Sequence, residues 1–255
     1  MSREASEISA ASYQDVATQS LGRSWFFQVM AGVLLLILLA GFAPTLYMRA
    51  AFDVPAIPFY LHVHGAVVTC WFLWFVAQTY LVALRHTDIH RRIGIAGAML
   101  AVAVVLAGPM ATMGFVARLP AMGFDVETEI FFVSWVVWGN FASIFAFAVF
   151  VLAGILLRHR SEVHKRLMLL ATLSIIGPPL ARIGNWSVFS WIQEIPFVVA
   201  GSLILLATLV IHDLVANRRL HTVTIVGGLY SVLTILAPLV ISNTGFAQAF
   251  VRAMG

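Results

Sequence analysis

The sequence predicts an all-α fold: a polytopic transmembrane helix bundle of about seven spans with its N-terminus in the cytoplasm. Two observations predict the bundle. Hydrophobic residues make up 61% of the 255-residue chain and charged residues only 10%, whereas a soluble domain carries roughly 25% charged residues. The few charges are gathered in short islands between apolar runs long enough to cross a bilayer as helices. A third observation, the placement of Lys and Arg, sets the orientation.

The expected spans are Trp25–Tyr47, Ile57–Leu84, Ile93–Val116, Ile130–Leu157, Leu167–Leu180, Ile195–Ile211 and Val223–Ile241. The second and fourth exceed the ~20 residues that a bilayer core requires, so they should tilt or protrude. The fifth is short unless it continues through Arg182. Residues 1–24 form a polar, cytoplasmic segment rich in Ser and Ala. They contain no early apolar stretch of the kind that marks a cleavable signal. No linker divides residues 25–255, which read as one seven-helix transmembrane domain.

With the N-terminus inside, the inner segments hold Arg3, Arg23, Arg85, Arg91, Arg92, Arg158, Arg160, Lys165, Arg166, Arg218 and Arg219. The outer segments hold only Arg49, Arg118, Arg182 and Arg252. That bias is the positive-inside pattern, and a bacterial inner membrane is the expected location. The positive net charge therefore reads as topology and affinity for anionic lipid. Nothing points to nucleic acid. The single Cys70 allows no disulfide within the chain and is expected to be a small buried hydrophobe. The outer loop from Ala117 to Glu129 carries Asp125, Glu127 and Glu129 and reads as a solvated acidic loop.

Two stretches resemble each other. "LRHTDIHRR" (Leu84–Arg92) and "LRHRSEVHKR" (Leu157–Arg166) both begin Leu-Arg-His. With one residue inserted in the second copy, Asp88 aligns with Glu162, His90 with His164, and Arg91-Arg92 with Lys165-Arg166. Both precede an apolar run, so any repeat is parallel. Gly108-Pro109 and Gly177-Pro178 are expected to break the third and fifth spans on their outer halves, where proline frees backbone groups.

The eight histidines fall into two layers. His86, His90, His159, His164, His212 and His221 lie at the inner interface, and His90, His164 and His221 each open an odd-numbered span. Neutral imidazole is a common ligand for transition metals and for haem, so a haem b or non-haem iron is expected at this layer. Its ligands are expected to be His90 and His164, with His221 or His86 as alternates. The bland reading is that histidines beside Arg and Lys mark helix ends wetted by water and headgroups. His62 and His64 lie on the second span towards the outer side. An ionisable residue inside a membrane helix is a functional-site hypothesis by default. Heptad steps from His64 reach Trp71, Gln78 and Arg85, a stripe that should face the bundle. Asn140, Arg182 and Asn185 are candidate partners, and the expected outer pocket is His64, His62, Trp71, Gln78, Asn140 and Arg182. Its occupant would be a quinone or another small lipophilic ligand with a polar headgroup.

The segments "IHRRIGIAG" and "VHKRLMLLAT", following "HGAVVTCWFLWFVAQ", resemble the ascorbate-reducible cytochrome b family and its bacterial relatives over roughly Leu61 to Arg182. In that family, histidines on alternate helices ligate b-type haems. The resemblance implies that His90 and His164 are an axial pair and that Arg91, Arg92, Lys165 and Arg166 meet the haem propionates. A membrane redox partner is a further expectation. The family's outer pair has no counterpart here, because His62 and His64 share one helix. Two alternatives stay open. His86-x3-His90 and His159-x4-His164 look like weak His boxes of the membrane di-iron desaturases and hydroxylases. Otherwise the histidines are structural, and the protein is a cofactor-free lipid- or small-molecule-binding or assembly factor.

Overall fold

The apolar runs form helices in a computed structural model that describes residues 25–52, 54 and 56–255. The polar segment 1–24, with Arg3 and Arg23, lies outside the described residues. The helices are α1 (Trp25–Tyr47), α2 (Phe59–Ala83), α3 (Thr87–Val116), α4 (Ile130–Leu156), α5 (Ser161–Ser174), α6 (Gly177–Gly184), α7 (Glu194–Asn217), α8 (Thr222–Ile241) and α9 (Gly245–Arg252). Six are long and apolar enough to cross a membrane, and α5 with α6 supplies a seventh span if the bent pair counts as one. Large apolar side chains such as Ile95, Leu106, Leu152 and Val240 face outward. A soluble protein would bury such surface; here it is the lipid-facing coat of a helical membrane protein.

α5 is the axis of the bundle. Arg166, Leu167, Leu169, Leu170, Ala171, Thr172 and Leu173 are all buried, so the helix is covered on every side. It packs on α4, α7 and α8. It reaches α2 through the Trp71 indole, which donates to the Thr172 hydroxyl at 3.3 Å. Lys165 lies over the Phe27 ring of α1 at 4.9 Å. Fourteen residues rise only about 21 Å, short of the ~30 Å hydrocarbon core. The chain completes the crossing through α6 after a 43° bend. The break is Ile175–Ile176, directly before Gly177-Pro178, and the proline sits in the first turn of α6, where it needs no hydrogen-bond partner.

The expectation of a matching break in the third span is corrected: α3 runs unbroken from Thr87 to Val116 with Pro109 inside it. Cys70 is also corrected. It is exposed on the outer surface of α2 rather than buried.

Close approaches hold the helices in register. A Cβ on Gly41 of α1 would sit 2.4 Å from the Pro179 carbonyl oxygen of α6. Only glycine lets those two backbones meet. At the end of the bundle opposite the basic loops, α9 packs on α4 and places Phe246 and Phe250 against Trp138. Arg252 pairs there with Glu127 of the acidic loop at 2.9 Å. Within that loop Asp125 accepts from the Glu127 amide and the Thr128 hydroxyl.

Candidate cofactor site at the basic end of the bundle

The resemblance between the two basic loops extends to their geometry. α3 starts at Thr87 and α5 at Ser161, so Asp88 and Glu162 are both second residues of a helix. Carboxylates there complement the helix dipole. His90 and His164 are both fourth residues, and their amides close the first helical bonds onto the His86 and Arg160 carbonyls at 3.0 and 2.9 Å. The inserted residue is taken up in the loop. In the first copy the turn into α3 is made by Arg85 in the left-handed region (φ 62°).

This register brings His90 and His164 together. Their ring centroids are 6.2 Å apart and the ring planes are nearly perpendicular, at 82°. The His164 Nδ1 lies 2.8 Å from the Gly154 carbonyl oxygen. A carbonyl only accepts, so Nδ1 carries a proton, and in a neutral ring Nε2 would keep the lone pair. Gly154 lies in the last turn of α4, where carbonyls lack helical partners. The imidazole therefore satisfies the helix end while its own tautomer is fixed. The His90 Nδ1 is buried without a hydrogen-bond partner, as is the Gln78 Oε1 nearby. The Gln78 amide donates to the His90 carbonyl at 3.5 Å.

The other expected ligands do not join this pair. His86 and His159 are exposed on the loops. His221 caps α8, its Nδ1 accepting from the Val223 amide at 3.1 Å. Burial and the neighbouring Arg166 guanidinium lower its pKa below the ordinary histidine range. Among the described residues, no three or more metal-ligating side chains come together. The two His boxes therefore do not assemble into one cluster.

The propionate cations also divide. Arg91 and Arg92 are exposed beside His90. Lys165 pairs with Glu162 at 2.7 Å. Arg166, expected at a propionate, is instead taken up inside the protein and is 1% exposed. Its Nε donates to both Asp213 oxygens at 3.2 and 3.3 Å, and a second guanidinium nitrogen also pairs with Asp213. The third donates to the Glu162 carbonyl and carboxylate at 2.9 and 2.8 Å. Asp213 is fully buried and also accepts from the Thr224 hydroxyl, the Asn217 amide and the His221 backbone. One carboxylate thus ties α5, α7 and the start of α8 together. Beside it, His212 stacks on Phe26 of α1 at 4.0 Å.

The outer set does not converge. Trp71, expected in the outer pocket, is packed in the core against Phe147 and 2% exposed. His64 is half-buried against the backbone of Ala107 on α3, with its Nδ1 unpartnered. His62 is exposed and Asn140 half-buried. Arg182 is exposed, with its guanidinium 5.6 Å from the Phe42 ring centroid. A cavity of about 530 Å³ at that end lies between α2 and α3 and is lined by Tyr60, Met110, Gly114 and Arg118. None of the six expected outer residues lines it.

In comparisons with known proteins, the chain matches no family model, no curated protein and no solved structure.

Proposed function

We propose that this membrane protein holds one b-type haem at its basic end, with His90 and His164 as axial ligands, and passes electrons to or from a membrane-borne partner. The reading rests on the His90–His164 pair. One metal between two imidazoles needs facing nitrogens about 4 Å apart, twice a metal–nitrogen bond of about 2.0–2.1 Å. Ring centroids 6.2 Å apart leave room for that spacing. The Gly154 carbonyl supplies the partner that commonly orients a ligating histidine. A buried, unpartnered His90 nitrogen is costly unless something else takes it up. Two ligands without a third suit a porphyrin, which brings its own four nitrogens, better than a di-iron centre built only from side chains.

A bound haem would supply one-electron exchange. The chain's own contributions are two imidazoles, the Gly154 carbonyl that orients His164 through Nδ1, and Arg91 and Arg92 at the surface to meet carboxylates. The basic end then faces the cytoplasm of a bacterial cell, by the distribution of Lys and Arg.

The test is the absorption spectrum of the purified protein. The reading predicts a Soret band with sharp visible bands on reduction. These should be lost in His90→Ala and in His164→Ala and retained in His62→Ala. A colourless, iron-free preparation from iron-replete cells would instead favour a cofactor-free protein whose polar interior, led by the Arg166–Asp213 pair, serves to join helices.

A further inference from the structure

A second cavity at the basic end, about 370 Å³, is lined by Glu162, Arg166, Asn217, Arg219 and His221. It opens beside the turn from α7 to α8, apart from the His90–His164 pair. We propose that this cavity binds a phosphate group, either the headgroup of an anionic phospholipid or a small free phosphate.

The charge balance of the wall favours an anion. Glu162 is already paired with Lys165 at 2.7 Å and with Arg166 at 2.8 Å. Asp213, below the cavity, is neutralised by Arg166 and accepts three further hydrogen bonds. Arg219 remains as an exposed cation on the rim. The His221 Nδ1 is an acceptor, because it takes the Val223 amide hydrogen. Its neutral ring therefore carries the proton on Nε2, which makes that atom a donor. Arg166 is 1% exposed yet reaches the cavity, so its position is fixed before any ligand arrives. The backbone is shaped for this turn too, since Arg218 closes α7 in the left-handed region (φ 52°). Arg219 and His221 follow directly at the start of α8.

Location supports the same ligand class. The cavity lies among inter-helix groups at the basic face, where phospholipid phosphates sit and where basic pockets between membrane helices take anionic headgroups. Its volume falls within the usual range for small-ligand sites, about 300–1,000 Å³.

The experiment uses the full chain in nanodiscs of phosphatidylcholine with or without phosphatidylglycerol, and in detergent with inorganic phosphate. Bound lipid is counted by native mass spectrometry, and stabilisation is followed by thermal unfolding. The variants are Arg219→Gln and His221→Gln. Arg158→Gln is the control, an exposed cation in the basic turn that follows α4. Losing one charge-assisted hydrogen bond should weaken binding by roughly tenfold or more. The inference expects that loss in Arg219→Gln and His221→Gln and little change in Arg158→Gln. Stabilisation by phosphatidylglycerol alone identifies a lipid headgroup; stabilisation by inorganic phosphate as well identifies a small-anion site. Equal weakening in all three variants would reduce the effect to general surface charge and overturn the proposal, as would no binding of either probe. The haem spectrum is read on the same samples and does not depend on this outcome.

Discussion

The two ends of the bundle handle polar residues in opposite ways. At the basic end they converge: Arg166, Asp213, Glu162, Thr224 and Asn217 form one network, and His90 and His164 form a second pair. At the other end they disperse. His64 rests against α3, Asn140 is half-buried on α4, and Arg182 lies over Phe42 at the surface. The ion pair there, Glu127 with Arg252, stands in the open. Desolvation explains the contrast. A charge inside the apolar body must be paired and hydrogen-bonded on several sides, whereas one at the rim can use water. Convergence, not the mere presence of intramembrane polar residues, distinguishes a candidate site from isolated helix contacts.

The largest expected effect lies in the convergent network. Asp213→Ala leaves the buried Arg166 guanidinium with only Glu162 as its acidic partner. Removing one partner of a buried pair costs about 3–5 kcal/mol, which should appear as a marked drop in the thermal unfolding temperature in detergent. The double variant Arg166→Met, Asp213→Leu should recover much of the loss. If Asp213→Ala unfolds like the wild type, the network does not hold α5 to α7.

Packing at the axis should come next. Trp71→Ala removes an indole that touches Phe147 and bonds to Thr172. Such truncations cost about 3–5 kcal/mol in well-packed cores. Gly41→Ala forces α1 away from Pro179, and overpacking of this kind costs typically about 1–3 kcal/mol. Both are read by the same unfolding measurement. An unchanged Gly41→Ala would mean that α1 and α6 do not meet this closely.

The smallest effect belongs to the dispersed end. The Arg252 guanidinium holds the Glu127 carboxyl below its ordinary range. A carboxyl with a depressed pKa contributes stability at neutral pH and loses it only as pH falls through the lowered value. Glu127→Gln should therefore leave unfolding at pH 7 almost unchanged, because exposed pairs contribute little. Any small difference from the wild type should vanish on acidification below the ordinary glutamate range. A large change at pH 7 would show that α9 depends on this contact.

Much of the fold is legible in the sequence because bilayer thickness imposes a length on every span. The Leu-Arg-His repeat is legible too, since it places His90 and His164 at the same helical position. Asp213 is harder to see. The apolar run fades at Ile211, which suggests that the span ends there, yet α7 continues to Asn217. Polarity marks where the hydrocarbon ends, not where helical hydrogen bonding stops. The signal available was an acidic residue directly after "ILLATLVIH". The outer stripe misleads for a related reason. Heptad spacing groups residues on a helix, but it says neither where the helix ends (Arg85 lies beyond α2) nor whether water or packed side chains lie opposite. For Trp71 it is Phe147 and Thr172.

Electron paramagnetic resonance of the oxidised protein tests the His90–His164 pair most directly. Two imidazoles ligating one ferric haem would give a low-spin signal. The account predicts that signal in the wild-type protein and its loss in His164→Ala, with any retained haem turning high-spin. A wild-type preparation with no haem signal, or a low-spin signal unchanged in His164→Ala, would contradict it.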